Sequence, residues 1–338
     1  MRPDSKYIDL HCHLDGAITV EIAGKLAEDQ NIILPAETDE ELKTLLSVPP
    51  GCRDLNEFLK CFELPCRLMQ TPEGIENAAY YVAEKMYSEG VIYAELRFAP
   101  QLHQTAGMDQ EEAVQRVLAG LRRSRLKSNL ILCCMRGEGN EEENRRTVEL
   151  AGKYLAEDGG VAAVDLAGAE AVYKTENYAS LFAVAAEAGI PFTIHAGEAD
   201  VPDSIRRAIE FGAVRIGHGI AAYKDEELRH LIREKGITLE MCPTSNRITH
   251  AIEDFSAYPL IDFLNEGIRV TINTDDPAIE GTDIAEEFGL MEREFGLTRE
   301  QRIKVLENSI DAAFTTASVK EELKKQITAG ERIWQEDQ

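Results

Sequence analysis

The sequence predicts an α/β protein, a (β/α)8 TIM-type barrel with a helical insertion after its first strand and extra helices at its C-terminal end. Three observations carry this expectation. Eight short runs of β-branched, aliphatic and aromatic residues alternate with helical stretches, and strict alternation implies parallel strands. Polar residues able to do chemistry follow nearly every run, and in a closed eight-stranded barrel those strand ends converge on one mouth. No Gly/Ser linker or low-complexity tract interrupts the alternation, so residues 1–338 are expected to form one barrel domain.

The first run, Tyr7–Leu10, leads into His11-Cys12-His13-Leu14-Asp15-Gly16-Ala17. Side chains alternate along a strand, so His11 and His13 fall on one face and can reach one ion. Thr19 to Met69 then reads as several helices. Leu55, Phe58, Leu59 and Phe62 recur at i, i+3, i+4 and i+7, one apolar face that either packs in the core or covers a pocket. Ile75–Glu89 is a further helix, closed by Gly90.

From there the period is regular. Strand Val91–Phe98 precedes a helix from about Gln110 to Ser124, and strand Leu130–Met135 precedes one from about Glu141 to Glu157. Strand Val161–Leu166 ends in Ala167-Gly168-Ala169-Glu170, and helix Tyr178–Ala188 leads to strand Phe192–His195 with Ala196-Gly197-Glu198 behind it. Helix Ser204–Phe211 precedes the short strand Arg215–Gly217, which delivers His218. Helix Asp225–Lys235 precedes Thr238–Met241 and Cys242-Pro243-Thr244-Ser245-Asn246. Helix Leu260–Glu266 precedes Arg269–Ile272 and Asn273-Thr274-Asp275-Asp276-Pro277, and everything from Asp283 on reads as helical.

Composition narrows the function. A formal net charge of −25 argues against nucleic acid and anionic membranes as partners, because phosphate contacts need clustered Lys and Arg. No apolar run approaches the roughly 18 residues of a membrane span. Seven cysteines, scattered without zinc-finger spacing, and Met1–Leu10, which does not read as a signal peptide, lead to the expectation of a reducing cytoplasm. A small molecule remains as the partner.

Four of the seven histidines (11, 13, 195 and 218) stand at strand ends, whereas His103, His230 and His250 fall in loops or helices and read as structural. Three neutral imidazoles, His11, His13 and His195, with the carboxylate of Asp275, suit Zn²⁺ with a coordination position left for water. Such an ion makes hydroxide available near neutral pH. Adjacent on a strand end, Asp275 and Asp276 should point different ways, one to the metal and one to substrate or water. Glu198, a short turn beyond His195, is placed to protonate the group under attack, and His218 to accept or orient the proton of the attacking water. Gly168 lets a ligand approach the backbone.

With these motifs in place, the sequence resembles the adenosine deaminase family of amidohydrolase-type barrels. The resemblance rests on His11 to Ala17, Asp165-Leu166-Ala167-Gly168, His195-Ala196-Gly197-Glu198, Gly217-His218-Gly219, Cys242 to Asn246 and Asn273 to Pro277, in family order across the chain. It implies one zinc per chain, held by His11, His13, His195 and Asp275. It further implies hydrolysis of adenosine, and of 2′-deoxyadenosine, to the inosine counterpart and ammonia in purine salvage. On that resemblance Glu198 gives a proton to purine N1, His218 positions the attack at C6, and Asp276 meets N7. Gly168 gives its amide to N3, His13 and Asp15 meet the ribose 5′ hydroxyl, and the Leu55/Phe58/Leu59/Phe62 face walls the substrate. Two positions depart from the family pattern: Ala169 where an acidic residue is common, and Glu280 where an apolar or aromatic one is common.

Related substrates, namely adenine, an N6-methylated nucleotide or aminofutalosine, would share the metal set. Asp15 favours a 5′ hydroxyl over a 5′ phosphate, which it would repel. A binuclear barrel hydrolase would need a lysine at a strand end, and none of the eight runs ends in one. A cytidine-type zinc deaminase would need H-x-E and P-C-x-x-C, which the chain lacks. A catalytically dead binding protein on the same barrel would have lost Glu198 or a ligand, and all are retained.

Overall fold

The computed structural model describes residues 5–49, 51, 58 and 60–336. Eight strands run through it: β1 (Tyr7–His13), β2 (Val91–Phe98), β3 (Lys127–Met135), β4 (Val161–Ala167), β5 (Thr193–Ala196), β6 (Arg215–His218), β7 (Thr238–Met241) and β8 (Arg269–Ile272). They form two four-stranded sheets, ordered β1-β2-β3-β4 and β5-β6-β7-β8, with every pairing parallel. Isolated parallel bridges join the sheets at both seams. Val164 pairs with Phe192, its N–H donating to the Pro191 carbonyl at 3.1 Å, and Cys12 pairs with Asp275. At the second seam Asp275 N–H donates to the His11 carbonyl and His13 N–H to the Asp275 carbonyl, each at 2.8 Å. The ring thus closes on three of the residues singled out as ligands.

The expected alternation holds, with shifts at element ends. β1 runs three residues further than expected, through His13, and β3 starts three earlier, at Lys127. Helices begin where a side-chain oxygen can satisfy the first free amides. Thr19 accepts from Ile22, Thr38 and Thr298 form capping boxes, and Thr71 caps the helix that opens with Pro72. That helix, Pro72–Ser88, ends at Glu89, with Gly90 taking the left-handed φ of 90°.

Among the described residues, the insertion after β1 contains helices Val20–Gln30, Asp39–Leu46 and Glu63–Leu68. It packs on the mouth side, where Val48 N–H donates to the Ile279 carbonyl at 2.9 Å. Of the apolar face expected to wall the substrate, Leu55 and Leu59 lie outside the described residues. Phe58 and Phe62 are half-buried, with ring centroids 5.7 Å apart. The C-terminal helices Ile284–Phe295, Arg299–Ala312 and Ala317–Glu336 follow β8, and the turn after Ala312 plugs the opposite end of the barrel. There Phe314 N–H donates to Glu95 at 2.5 Å and the Phe314 carbonyl accepts from Asn129 at 2.8 Å. No helix among the described residues is long and apolar enough to cross a membrane, and no disulfide joins any of their cysteines.

Inside the barrel the strands turn charged rather than apolar residues toward one another. Glu95 and Arg97 of β2, Asp165 of β4, Arg215 of β6 and Glu240 of β7 are all buried. Arg97 donates to Asp165, to Glu240 and to the Leu10 carbonyl at 2.8, 2.8 and 2.7 Å. Arg215 donates to Glu240 and to Glu95, both at 2.5 Å. Fully buried charges are tolerated only when paired and hydrogen-bonded in this way.

Candidate active site

The lattice of charges is the floor on which the mouth stands. His11 at the end of β1 turns Nδ1 to Glu240 at 2.8 Å, and His195 at the end of β5 turns Nδ1 to Asp165 at 2.9 Å. A ring nitrogen facing a carboxylate carries the proton, so each histidine directs a bare Nε2 lone pair into the mouth. His11 Nε2 finds no hydrogen-bond donor among the described residues and lies 3.1 Å from Asp275 Oδ1, another acceptor. His195 Nε2 lies 3.3 Å from His13 Nε2, and His13 Nε2 lies 3.4 Å from Asp275 Oδ1.

The structure therefore brings His11, His13, His195 and Asp275 together, with one ligand atom of each within 4.8 Å of the others. One shared proton could satisfy one such pair. A cation at the centre satisfies all four at once, and three imidazoles with one carboxylate suit zinc. Charge agrees with this fit. Two guanidinium groups against the three floor carboxylates leave one negative charge, and Asp275 adds a second for a divalent ion to balance. Asp275 also holds a left-handed backbone φ of 63°, and His218 one of 60°. Such conformations cost a non-glycine residue energy and gather at functional sites.

Around the cluster stand the other residues expected at the mouth. Glu198 follows β5 and is partly exposed, with Oε1 accepting from Thr249 at 3.0 Å and Oε2 lying 3.5 Å from His218 Nε2. Burial, then the charges of Asp275 and Glu170, push its carboxyl up to about 8, so it is protonated at neutral pH. His218, at the end of β6, is kept neutral by burial, which pulls it down to about 3. Asn246 offers its amide nitrogen to His218 Nδ1 at 3.0 Å, and its own oxygen accepts from Tyr258 at 2.9 Å. His218 Nδ1 is thereby the acceptor and Nε2 carries the proton toward the cluster, 3.7 Å from Asp275 Oδ2.

Asp276 is buried beside Asp275, and burial together with that charge holds its carboxyl well above the usual carboxylate range. Glu280, one of the two departures, is buried near both aspartates, and burial raises its carboxyl in the same way. Asp15 sits in the turn Asp15–Ala17 with its Oδ2 3.9 Å from Cys66 Sγ, and burial lifts it to about 6. Gly168 follows β4 at a φ of 101° that only glycine takes readily, exposed at the mouth beside Arg136. His103 is buried under Phe98, and His230 and His250 lie on the surface, as expected of structural histidines.

Several residues at the site carried no expected role. Glu240 and Arg97 of the floor, Asp165 as a brace, Arg136 and Glu170 belong to this group. The available signal was the pair Glu95 and Arg97, two charges on one face of an otherwise apolar strand.

A parallel eight-stranded barrel whose mouth gathers three imidazoles and a carboxylate, with a protonated carboxyl beside them, defines a metal-binding hydrolase of the amidohydrolase type. The adenosine deaminase family model matches residues 7–330. An adenosine deaminase of Haemophilus ducreyi is 44% identical over 322 residues, 94% of either chain. Among solved structures, an adenine deaminase from Arthrobacter aurescens superposes with a TM-score of 0.86 at 26% identity, covering 97% of this chain and 99% of its own. The N6-methyl-AMP deaminase from Arabidopsis thaliana gives 0.82 at 26% identity, covering 97% of each chain. The chain belongs to the adenosine deaminase family and is an enzyme of that class.

Proposed function

We propose that this enzyme removes the 6-amino group of adenosine, and of 2′-deoxyadenosine, by hydrolysis, giving the inosine nucleoside and ammonia for purine salvage in the cytoplasm. The whole chain acts as one catalytic unit. The observation that carries the reading is the juxtaposition of the four-ligand cluster with a protonated Glu198 and a neutral His218. Identity supports adenosine over its relatives, since the adenosine deaminase matched above is 44% identical while the adenine and N6-methyl-AMP enzymes are 26% identical.

One zinc ion would be held by His11, His13, His195 and Asp275, and when bound it supplies a Lewis acid that makes water nucleophilic at neutral pH. The remaining work belongs to side chains. Attack at the aromatic C6 places electron density on N1, and Glu198 removes that cost by giving N1 its proton. Between the two roles open to His218, its Nε2–H supports orienting the attacking oxygen, not accepting its proton. Asp276, held protonated, can donate to N7, and the Gly168 amide to N3. His13 and Asp15 would meet the 5′ hydroxyl.

The test is an absorbance assay of the zinc-loaded enzyme with adenosine, adenine and AMP. Adenosine should be deaminated with the highest kcat/KM, and AMP poorly, because Asp15 in a chain of net charge −25 opposes a phosphate. Comparable kcat/KM for AMP and adenosine, or preference for adenine, would overturn the assignment.

A further inference from the structure

Glu170 stands outside the reaction as described, yet it organises the segment that carries Glu198. Its carboxylate accepts from three successive amides, Gly197 at 2.6 Å, Glu198 at 3.1 Å and Ala199 at 2.9 Å, and from Ser204 Oγ at 2.5 Å. Three amides in a row converge on one anion only when the backbone turns back on itself. Gly197 supplies that turn with a φ of 72°, where a Cβ would come within 2.5 Å of Ile205 Cδ1. Glu170 is 4% exposed, so water contributes little to its binding.

The contact extends to the metal cluster. Ser204 Oγ is 2.7 Å from Thr175 Oγ1, which accepts from Arg136 at 3.0 Å, and Arg136 donates to the His195 carbonyl at 2.6 Å. Both ends of the segment His195–Ala199 are thus tied to the loop after β4. Gly197 N–H and Ser204 Oγ share one oxygen of Glu170, and the Glu198 and Ala199 amides share the other, so four donors call for a carboxylate, whose charge then sits close to the Glu198 carboxyl.

We infer that Glu170 is a positioning residue for Glu198: its carboxylate fixes the turn that aims the Glu198 carboxyl into the mouth and sets a negative charge beside it. The inference rests on Glu198 being the acid. The charged or titratable groups facing Glu198 are Glu170 from the loop after β4, His11 on β1, His218 at the end of β6, Asp275 and Asp276 after β8, and Tyr258. Among these carboxylates Glu170 alone touches neither the cluster nor the substrate side of the mouth. Its substitution therefore separates the acidity of Glu198 from metal binding.

The experiment compares Glu170→Gln, Glu170→Asp and Glu198→Gln in the zinc-loaded enzyme, reading zinc content, KM, kcat and the alkaline limb of the kcat–pH profile. In Glu170→Gln one amide NH2 meets backbone donors, and the charge is gone. Its kcat should fall at least about 10-fold with zinc retained and KM little changed, and the alkaline limb should move to lower pH by about 0.5 unit or more. Glu170→Asp keeps the charge on a shorter stem, so kcat should fall while the limb stays within about 0.2 unit of the parent. An unmoved limb in Glu170→Gln, whatever its kcat, overturns the inference. Should Glu170→Gln not fold, a Glu170→Asp enzyme with parental kcat overturns it and one with lowered kcat and an unmoved limb supports it. Glu198→Gln separates the two readings. If it is inactive while Glu170→Gln behaves as parent, this inference alone fails, and if it keeps parental kcat, the acid role of Glu198 fails and takes this inference with it.

Discussion

The floor and the mouth of the barrel are built from the same kinds of residue and obey opposite rules. On the floor, Arg97 and Arg215 hold Glu95, Asp165 and Glu240, so each carboxylate has a guanidinium partner. At the mouth, a few ångströms along the same strands, one ligand atom each of His11, His13, His195 and Asp275 face one another, and His11 Nε2 has no hydrogen-bond partner among the described residues. A buried group left unsatisfied costs about 1–3 kcal/mol, more if charged, so the orphaned Nε2 of His11 beside three further ligand atoms points to a cation that meets them all. The floor is what makes the mouth possible. Its carboxylates Glu240 and Asp165 accept hydrogen bonds from the Nδ1–H groups of His11 and His195 and so leave the two Nε2 lone pairs facing the mouth.

The largest effect on this contrast should come from Glu198, a mouth carboxyl that does not belong to the cluster. Glu198→Gln keeps shape and a hydrogen bond but has no acidic proton to give. Its kcat should fall by ~10²–10⁴-fold while zinc and adenosine binding remain, as steady-state kinetics with metal analysis would show. Activity near that of the parent would reduce Glu198 to a brace of its loop.

A change on the floor should reach the mouth more weakly. Glu240→Gln weakens the brace on His11 and leaves two guanidinium groups short of charge. Zinc affinity should drop by about 10- to 100-fold in competition with a chelator, with a lower Tm. A lower Tm with parental zinc affinity would separate floor from mouth and defeat the link drawn between them.

At the rim the effect should be smaller again. Asp15→Asn should lose about 1–3 kcal/mol in kcat/KM for adenosine through one hydrogen bond in a dry site, and less for adenine, which has no ribose. Equal losses for both would place Asp15 elsewhere. The pH profile gives the finest test. A carboxyl raised from its usual value to about 8 acts as an acid below that pH, so kcat should decline as pH rises through about 8. A flat profile from pH 7 to 9.5 would contradict the protonated state of Glu198.

The contrast also explains what the sequence made legible. Mouth residues announce themselves, because His11, His13, His195, His218 and Asp275 interrupt or end apolar strands where nothing in the core requires them. The eight strands were legible for the same reason, through short apolar runs between helices, and only their ends moved. The floor was hidden. Arg97 and Glu240 are 143 residues apart, and each alone reads as an anomaly in a strand, since pairing is a property of the closed ring. Glu170 was visible as the residue after a departure from the family pattern, but its three amide partners depend on a turn that only the packing of Gly197 against Ile205 explains. The tautomer of His218 was likewise out of reach, because Asn246 and Tyr258 decide it from the segment between β7 and β8.

The measurement that bears most directly on the account is metal content per chain, by elemental analysis after exhaustive dialysis, for the parent protein and for His195→Ala. The parent should carry about one zinc per chain and the variant should lose most of it, together with adenosine deamination. A parent protein that deaminates adenosine without metal, one that holds two tightly bound ions, or a His195→Ala protein with its zinc intact would contradict the reading of the mouth as a single four-ligand metal site.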